Sequence, residues 1–140
     1  MIPATDYEKQ AAGFLAATGV RMIITYLDMA CPSWTKPCAH HNHGDHYRVE
    51  FRRAGRVLSF GFWNSYYDSR KRIPPTQYGV LACISSDADC PETFEEFCAD
   101  YGYDTDSRRA EATFRRCSQF ARRLRAFFTA GELEQLSEIR

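Results

Sequence analysis

Between Arg108 and Phe128 two patterns run in phase. Ala110, Phe114, Cys117, Ala121, Leu124 and Phe128 recur at spacings of four and three, and Phe120 and Phe127 widen the stripe. Such spacing puts one apolar face on an α-helix. The pairs Arg108/Arg109, Arg115/Arg116 and Arg122/Arg123 repeat every seven residues and stack along the opposite face. Over about 21 residues the ladder spans on the order of 30 Å. Any fold of this chain must cover one side of that helix and leave the other to water or to a partner. Like charges along one face repel by a few tenths of a kcal/mol per close pair, and glutamates would have supplied solubility as well. The arginines therefore read as an anion-facing surface for phosphates or an acidic protein. The competing reading is a solvated face partly neutralised by the chain's own acids.

Those acids are grouped. The net charge is zero, yet Ile73 to Ser107 holds eight acids and no Lys or Arg, whereas Arg48 to Arg72 holds seven basic residues against two acids. Asp87, Asp89, Glu92, Glu95 and Glu96 make a second candidate partner surface, complementary in sign to the arginines, or else solvated helix ends. Their spacing is not that of a calcium loop. Asp104 and Asp106, just ahead of the long helix, are expected to cap its free N–H groups, a contribution of about 1 kcal/mol.

The rest of the chain reads as an α+β fold. A Thr5/Glu8 capping box opens a helix over residues 6–18 that stops at Gly19. Three antiparallel strands are expected within residues 20–63. Met22, Ile24 and Tyr26 share a face with Val20; Tyr47, Val49 and Phe51 alternate with Arg48, Glu50 and Arg52; RVLSFGFW follows an Ala54-Gly55 turn. Loops are expected from Ala30 to Asp45 and from Asn64 to Pro75. Three helices then fall within residues 76–138: one capped by Thr76 and running to Ile84, one started by Thr93/Glu96 and stopped by Gly102, and the arginine helix ended by Gly131 with a short tail. The expected architecture is a single domain, residues 1–140, with an N-terminal helix and a C-terminal three-helix segment packed on one face of a three-stranded antiparallel sheet.

The sharpest chemical lead is CPSWTKPCAHHNHGDH. His40, His41, His43 and His46 fall within seven residues, beside Cys31, Cys38 and Asp45. Zinc takes four N or S ligands, which such a cluster can supply, although the spacing matches no specific finger or ribbon. A Cys31–Cys38 disulfide and a plain hydrated loop are the alternatives. Cys83, Cys98 and Cys117 read as small core fillers. Phosphate-loop, nucleophile-elbow and activated-cysteine signatures are missing from the sequence, so no reaction is signalled. The start MIPATDYEKQ lacks the features of a signal peptide, and no apolar run approaches the roughly 20 residues of a membrane helix. The expectation is a cytoplasmic protein without membrane contact.

FEEFCADYGYDTDSRRA (Phe94 to Ala110), preceded by PTQYGVLACI and by the YRVEF…RVLSFGFWNS hairpin, resembles a family of small bacteriophage and prophage proteins. That family carries a Phe-x-x-Phe-Cys…Tyr-Gly-Tyr-Asp-x-Asp-Ser-Arg signature, and the likeness covers roughly Val20 to Arg125. The family is similar to anti-CRISPR and other counter-defence proteins. The resemblance implies an inhibitor that binds a host complex, such as a CRISPR effector, in the bacterial cytoplasm; it carries over no catalytic residue, and no cofactor is expected. It also implies Phe94 and Phe97 as core. The His-rich loop and the dense arginine ladder depart from the pattern. Trp63, Tyr66 and Tyr67 are candidate aromatic anchors for such a partner. The alternative from another class is a small nucleic-acid-binding protein, with or without a zinc-ordered loop, using Arg52, Arg53, Arg70 to Arg72 and the ladder on phosphates.

Overall fold

A computed structural model describes residues 4–30, 43–66 and 74–139. Among these the order is α1 (Ala4–Thr18), β1 (Arg21–Ala30), β2 (His43–Arg53), β3 (Arg56–Tyr66), α2 (Gln77–Ala88), α3 (Phe94–Tyr101), α4 (Arg108–Phe127) and α5 (Ala130–Ser137). The fold is α+β, with the three strands in the order β1-β2-β3 and both pairings antiparallel. The chain forms two compact units, residues 1–80 and 81–140, with the boundary inside α2.

In the first unit the alternation read from the sequence holds. Met22, Ile24 and Tyr26 lie opposite Phe51, Val49 and Tyr47, and the three residues of β2 are buried. Ala11, Phe14 and Leu15 give α1 its buried stripe, and Arg53 ties β2 to the end of α1 by donating from Nη1 to the Thr18 carbonyl at 3.1 Å. The β2–β3 turn is two residues long, with Ala54 and Gly55 at φ 50° and 78°. Both angles suit the right-handed twist of a hairpin.

The strands run further than the sequence suggests. His43, Gly44 and Asp45, expected in the loop, pair with Tyr66, Ser65 and Asn64. Gly44 is needed there because a Cβ at that position would collide with the indole of Trp63. Asp45 turns to the other face and is fully buried. Thr5 has its side chain outside the described residues, so the expected capping box of α1 lies there too.

In the second unit α2 continues past Ile84 to Ala88, because Leu81, Ile84, Ser85 and Ala88 share one buried stripe. Burial of that face outweighs the weak helix preference of the serines. Thr76 caps the start of α2 by accepting from the Gly79 N–H at 3.0 Å, and Thr93 caps α3 by accepting from Glu96 at 3.2 Å. Gly102, at φ 73°, ends α3 in the left-handed conformation. Gly131 does not end the long helix. That helix stops at Phe127 because Phe128 turns extended, and Thr129 and Glu132 then form a capping box that places Gly131 inside α5. Phe97 is core as expected, whereas Phe94 is only half-buried.

Candidate interaction surface

Ser107 sets the start of α4. Its hydroxyl oxygen accepts from the Ala110 N–H at 3.1 Å. Asp104 and Asp106 were expected to do this and do not. The Asp104 carbonyl accepts from the Ser107 N–H at 3.1 Å, closing a turn that leaves Ser107, not an aspartate, adjacent to the first helical residue. From there the apolar stripe turns inward: Ala110, Ala121, Leu124 and Phe127 are buried, and Phe114 and Cys117 pack on a cluster of Cys90, Phe97 and Ala121.

The opposite stripe faces outward. Arg108, Arg109, Arg115, Arg116, Arg122 and Arg123 are all exposed. Arg115 is paired with Glu111 one turn back, Nη2 to Oε1 at 3.3 Å, an exposed contact of a few tenths of a kcal/mol. Among the described residues Arg108, Arg109, Arg116 and Arg122 make no ion pair. Arg125 belongs to a different part of the surface. It donates from Nη2 to the carbonyls of Ala88 and Cys90 at 3.0 and 3.1 Å.

The acids of the second unit are exposed as well: Asp87, Asp89, Glu92, Glu95 and Glu96. Glu95 and Glu96 occupy the first turn of α3, where negative charge complements the helix dipole. Asp87 lies in the last turn of α2, where it does not, and partial burial pushes its carboxyl above the usual range.

Two adjoining cavities along α4, which share Ser118 and Arg122, were not legible in the sequence. One, of about 290 Å³, lies between Phe94 of α3 and Phe114, Arg115, Ser118 and Arg122 of α4. The other, of about 230 Å³, shares Ser118 and Arg122 with it and adds Cys90, Glu92 and Arg125. The residues come from three segments, and no sequence pattern joined those segments into one site.

The histidine lead fares differently. Cys31, Cys38, His40 and His41 lie outside the described residues, as does the side chain of His43. His46 stands on β2 with Nδ1 2.8 Å from Asp28 Oδ1. Strand alternation sends it to the face opposite Asp45. Among the described residues no group of three or more His, Cys, Asp or Glu side chains gathers in metal-binding geometry.

On the sheet, the outward positions are Arg21, Ile23 and Thr25 of β1, His46, Arg48, Glu50 and Arg52 of β2, and Val57, Ser59, Gly61 and Trp63 of β3. Trp63 is 47 % exposed and leans over Gly44. Arg52 is paired with Glu50 at 2.8 Å and Arg53 is spent on Thr18, so two of the arginines expected to meet phosphates are engaged internally. Arg70 to Arg72 and Tyr67 lie outside the described residues, as does the side chain of Tyr66.

Cys83 is exposed rather than a core filler, because it falls on the outer side of α2; Cys98 is buried and Cys117 half-buried. Burial, only partial at Cys83 and Cys117, followed by nearby carboxylates, pushes the Cys83, Cys98 and Cys117 thiols above their ordinary range. No described helix is long and apolar enough to cross a membrane. No family model, curated protein or solved structure matches this chain.

Proposed function

We propose that this chain is a binding protein, not a catalyst, and that it docks an anionic surface of a partner complex through the outer face of α4. The observation that carries the reading is the row Arg108, Arg109, Arg116 and Arg122, exposed on one helix and without ion pairs among the described residues. Four guanidinium groups held on a rigid rod, and not neutralised locally, raise the on-rate for an acidic surface and supply bidentate anchors once there. In the setting that the phage-protein resemblance implies, the partner is a host nuclease or surveillance complex in the bacterial cytoplasm, blocked by stoichiometric occupation in the manner of an anti-CRISPR inhibitor. The exposed acids Asp87 to Glu96 offer a second surface of opposite sign on the same unit.

The test is capture from host lysate by the purified chain, combined with phage plating against active CRISPR immunity. A retained complex and restored plating, both lost in a variant with Arg108, Arg109, Arg116 and Arg122 changed to Gln, are expected. No retained complex and no restored plating would remove the reading.

A second reading is favoured by one observation in the first unit. Trp63 lies half-exposed on the outward sheet face, with Arg48 one pleat along β2 from its cross-strand neighbour His46. An aromatic ring beside a cation is how single strands are held without sequence preference. Oligonucleotide binding with a steep salt slope, abolished by Trp63→Ala, supports it; absence of any gel shift at low salt eliminates it.

A further inference from the structure

The groove beside α4 has a chemistry of its own. Its wider end is floored by the rings of Phe94 and Phe114, with centroids 5.7 Å apart, and Phe114 in turn leans on buried Phe97 at 5.3 Å. The floor is therefore apolar and fixed. Arg115 and Arg122 line the same cavity, and Arg122 also lines the narrower one together with Arg125. Arg115 is held by Glu111 and Arg125 by two backbone carbonyls, which leaves Arg122 as the cation at the waist without an ion pair among the described residues.

We propose that this groove is a docking site for a protein segment that presents an aromatic side chain beside a carboxylate, the ring on Phe94 and Phe114 and the carboxylate on Arg122. The inference rests on the α4 reading above and names what that helix holds. Charge layout supports a peptide over a nucleic acid. Glu111 lines the aromatic end and Glu92 the narrow end, so a carboxylate stands at each end of the arginines. A polyanion with a charge at every step would meet those carboxylates, whereas one acidic group flanked by apolar atoms meets only Arg122. An aromatic ring over fixed phenylalanines gains both buried area and edge-to-face contact.

The experiment follows backbone amide shifts of the full chain on addition of N-acetyl-Phe-Glu-amide, its Phe-Gln counterpart, or a twelve-nucleotide oligothymidylate. The Phe-Glu probe is expected to move Phe94, Ser118 and Arg122, with the Phe-Gln probe weaker by about tenfold, the worth of one charge-assisted hydrogen bond. Arg122→Gln should weaken the Phe-Glu probe by a similar factor, and Lys9→Gln, at an exposed cation of α1 outside the groove, should not. Arg122 is exposed, so its replacement leaves the core alone; Phe94→Ala is a second variant expected to lose the probe. No movement at millimolar probe, indifference to Arg122→Gln, or stronger movement of the same amides by the oligonucleotide overturns the proposal. Lost probe binding with lysate capture intact sinks the groove alone. Probe binding without any captured complex sinks the α4 reading instead.

Discussion

Arg125 Nη2 lies 3.0 Å from the carbonyl oxygen of Ala88, the last residue of α2, and 3.1 Å from that of Cys90. The last carbonyls of a helix lack intrahelical partners and carry the negative end of the dipole, so a guanidinium there works as a C-terminal cap. Arg125 thus differs in kind from the outward arginines three to seventeen residues before it on α4. Arg125→Ala should lower unfolding free energy by about 1–2 kcal/mol, while Arg116→Gln should change it by under about 0.5 kcal/mol. Urea melts of the two variants check the contrast; equal effects would mean that the carbonyl contacts add nothing.

Ala54 holds φ 50° in the hairpin turn, next to Gly55 at 78°. A side chain at that angle crowds its own carbonyl, at a cost of roughly 1–2 kcal/mol, which glycine avoids. Glycine also frees the unfolded chain and returns part of that gain. Ala54→Gly should therefore stabilise by about 0.5–1 kcal/mol. A thermal melt with unchanged or lowered midpoint would show that the turn relaxes when the methyl is present.

Thiol chemistry separates the described cysteines by access. Cys98 is 3 % exposed and Cys90 5 %, whereas Cys83 is at the surface. All three thiols sit above their ordinary range, pushed up first by burial, which is only partial at Cys83, where Asp87 adds to the effect. The thiolate is the reactive form, so labelling at neutral pH should be slow throughout. With iodoacetamide at pH 7.5, mapped by mass spectrometry, Cys83 should label before Cys90 and Cys98, which should wait for denaturant. Early labelling of Cys98 in native protein would show that α3 opens readily.

The long helix was legible because its apolar period and its arginine period are locked to the same 3.6-residue turn, and no other structure satisfies both. The hairpin was legible from one turn dipeptide between two alternating runs, and Thr76, Thr93 and Gly102 announced helix ends by side-chain chemistry alone. What escaped depends on contacts between segments. Gly44 and Asp45 look like loop residues until Trp63 occupies the space a Cβ would fill. Phe128 looks helical by period, and the extended backbone that ends α4 there is decided by its burial and by the Thr129 cap that follows. The groove joins Phe94 of α3 to Ser118 and Arg122 of α4, and no local pattern relates the two helices. Ser107 was open to a local reading, as a hydroxyl directly before the first helical residue, but the aspartates beside it masked the signal.

Asp87 offers a test of electrostatics with a defined sign. Its carboxyl is raised above the ordinary carboxylate range by burial, and it lies at the negative end of α2, one residue before Ala88. A carboxyl whose folded pKa exceeds its unfolded value binds protons more readily in the folded chain. Between the two values the folded state holds more protons, so stability falls as pH rises through that window. Above the folded pKa the penalty is complete; below the unfolded value it is gone. Asp87→Asn should then stabilise at pH 7 by about 0.5 kcal/mol, the size of an exposed charge–dipole term, and the gain should shrink as pH falls through the raised pKa. Paired urea melts at pH 7, 5 and 4 measure it. A gain that stays constant over that range would assign the effect to amide hydrogen bonding or packing, and a loss at pH 7 would mean that the Asp87 carboxylate is held by a favourable partner that outweighs both burial and dipole.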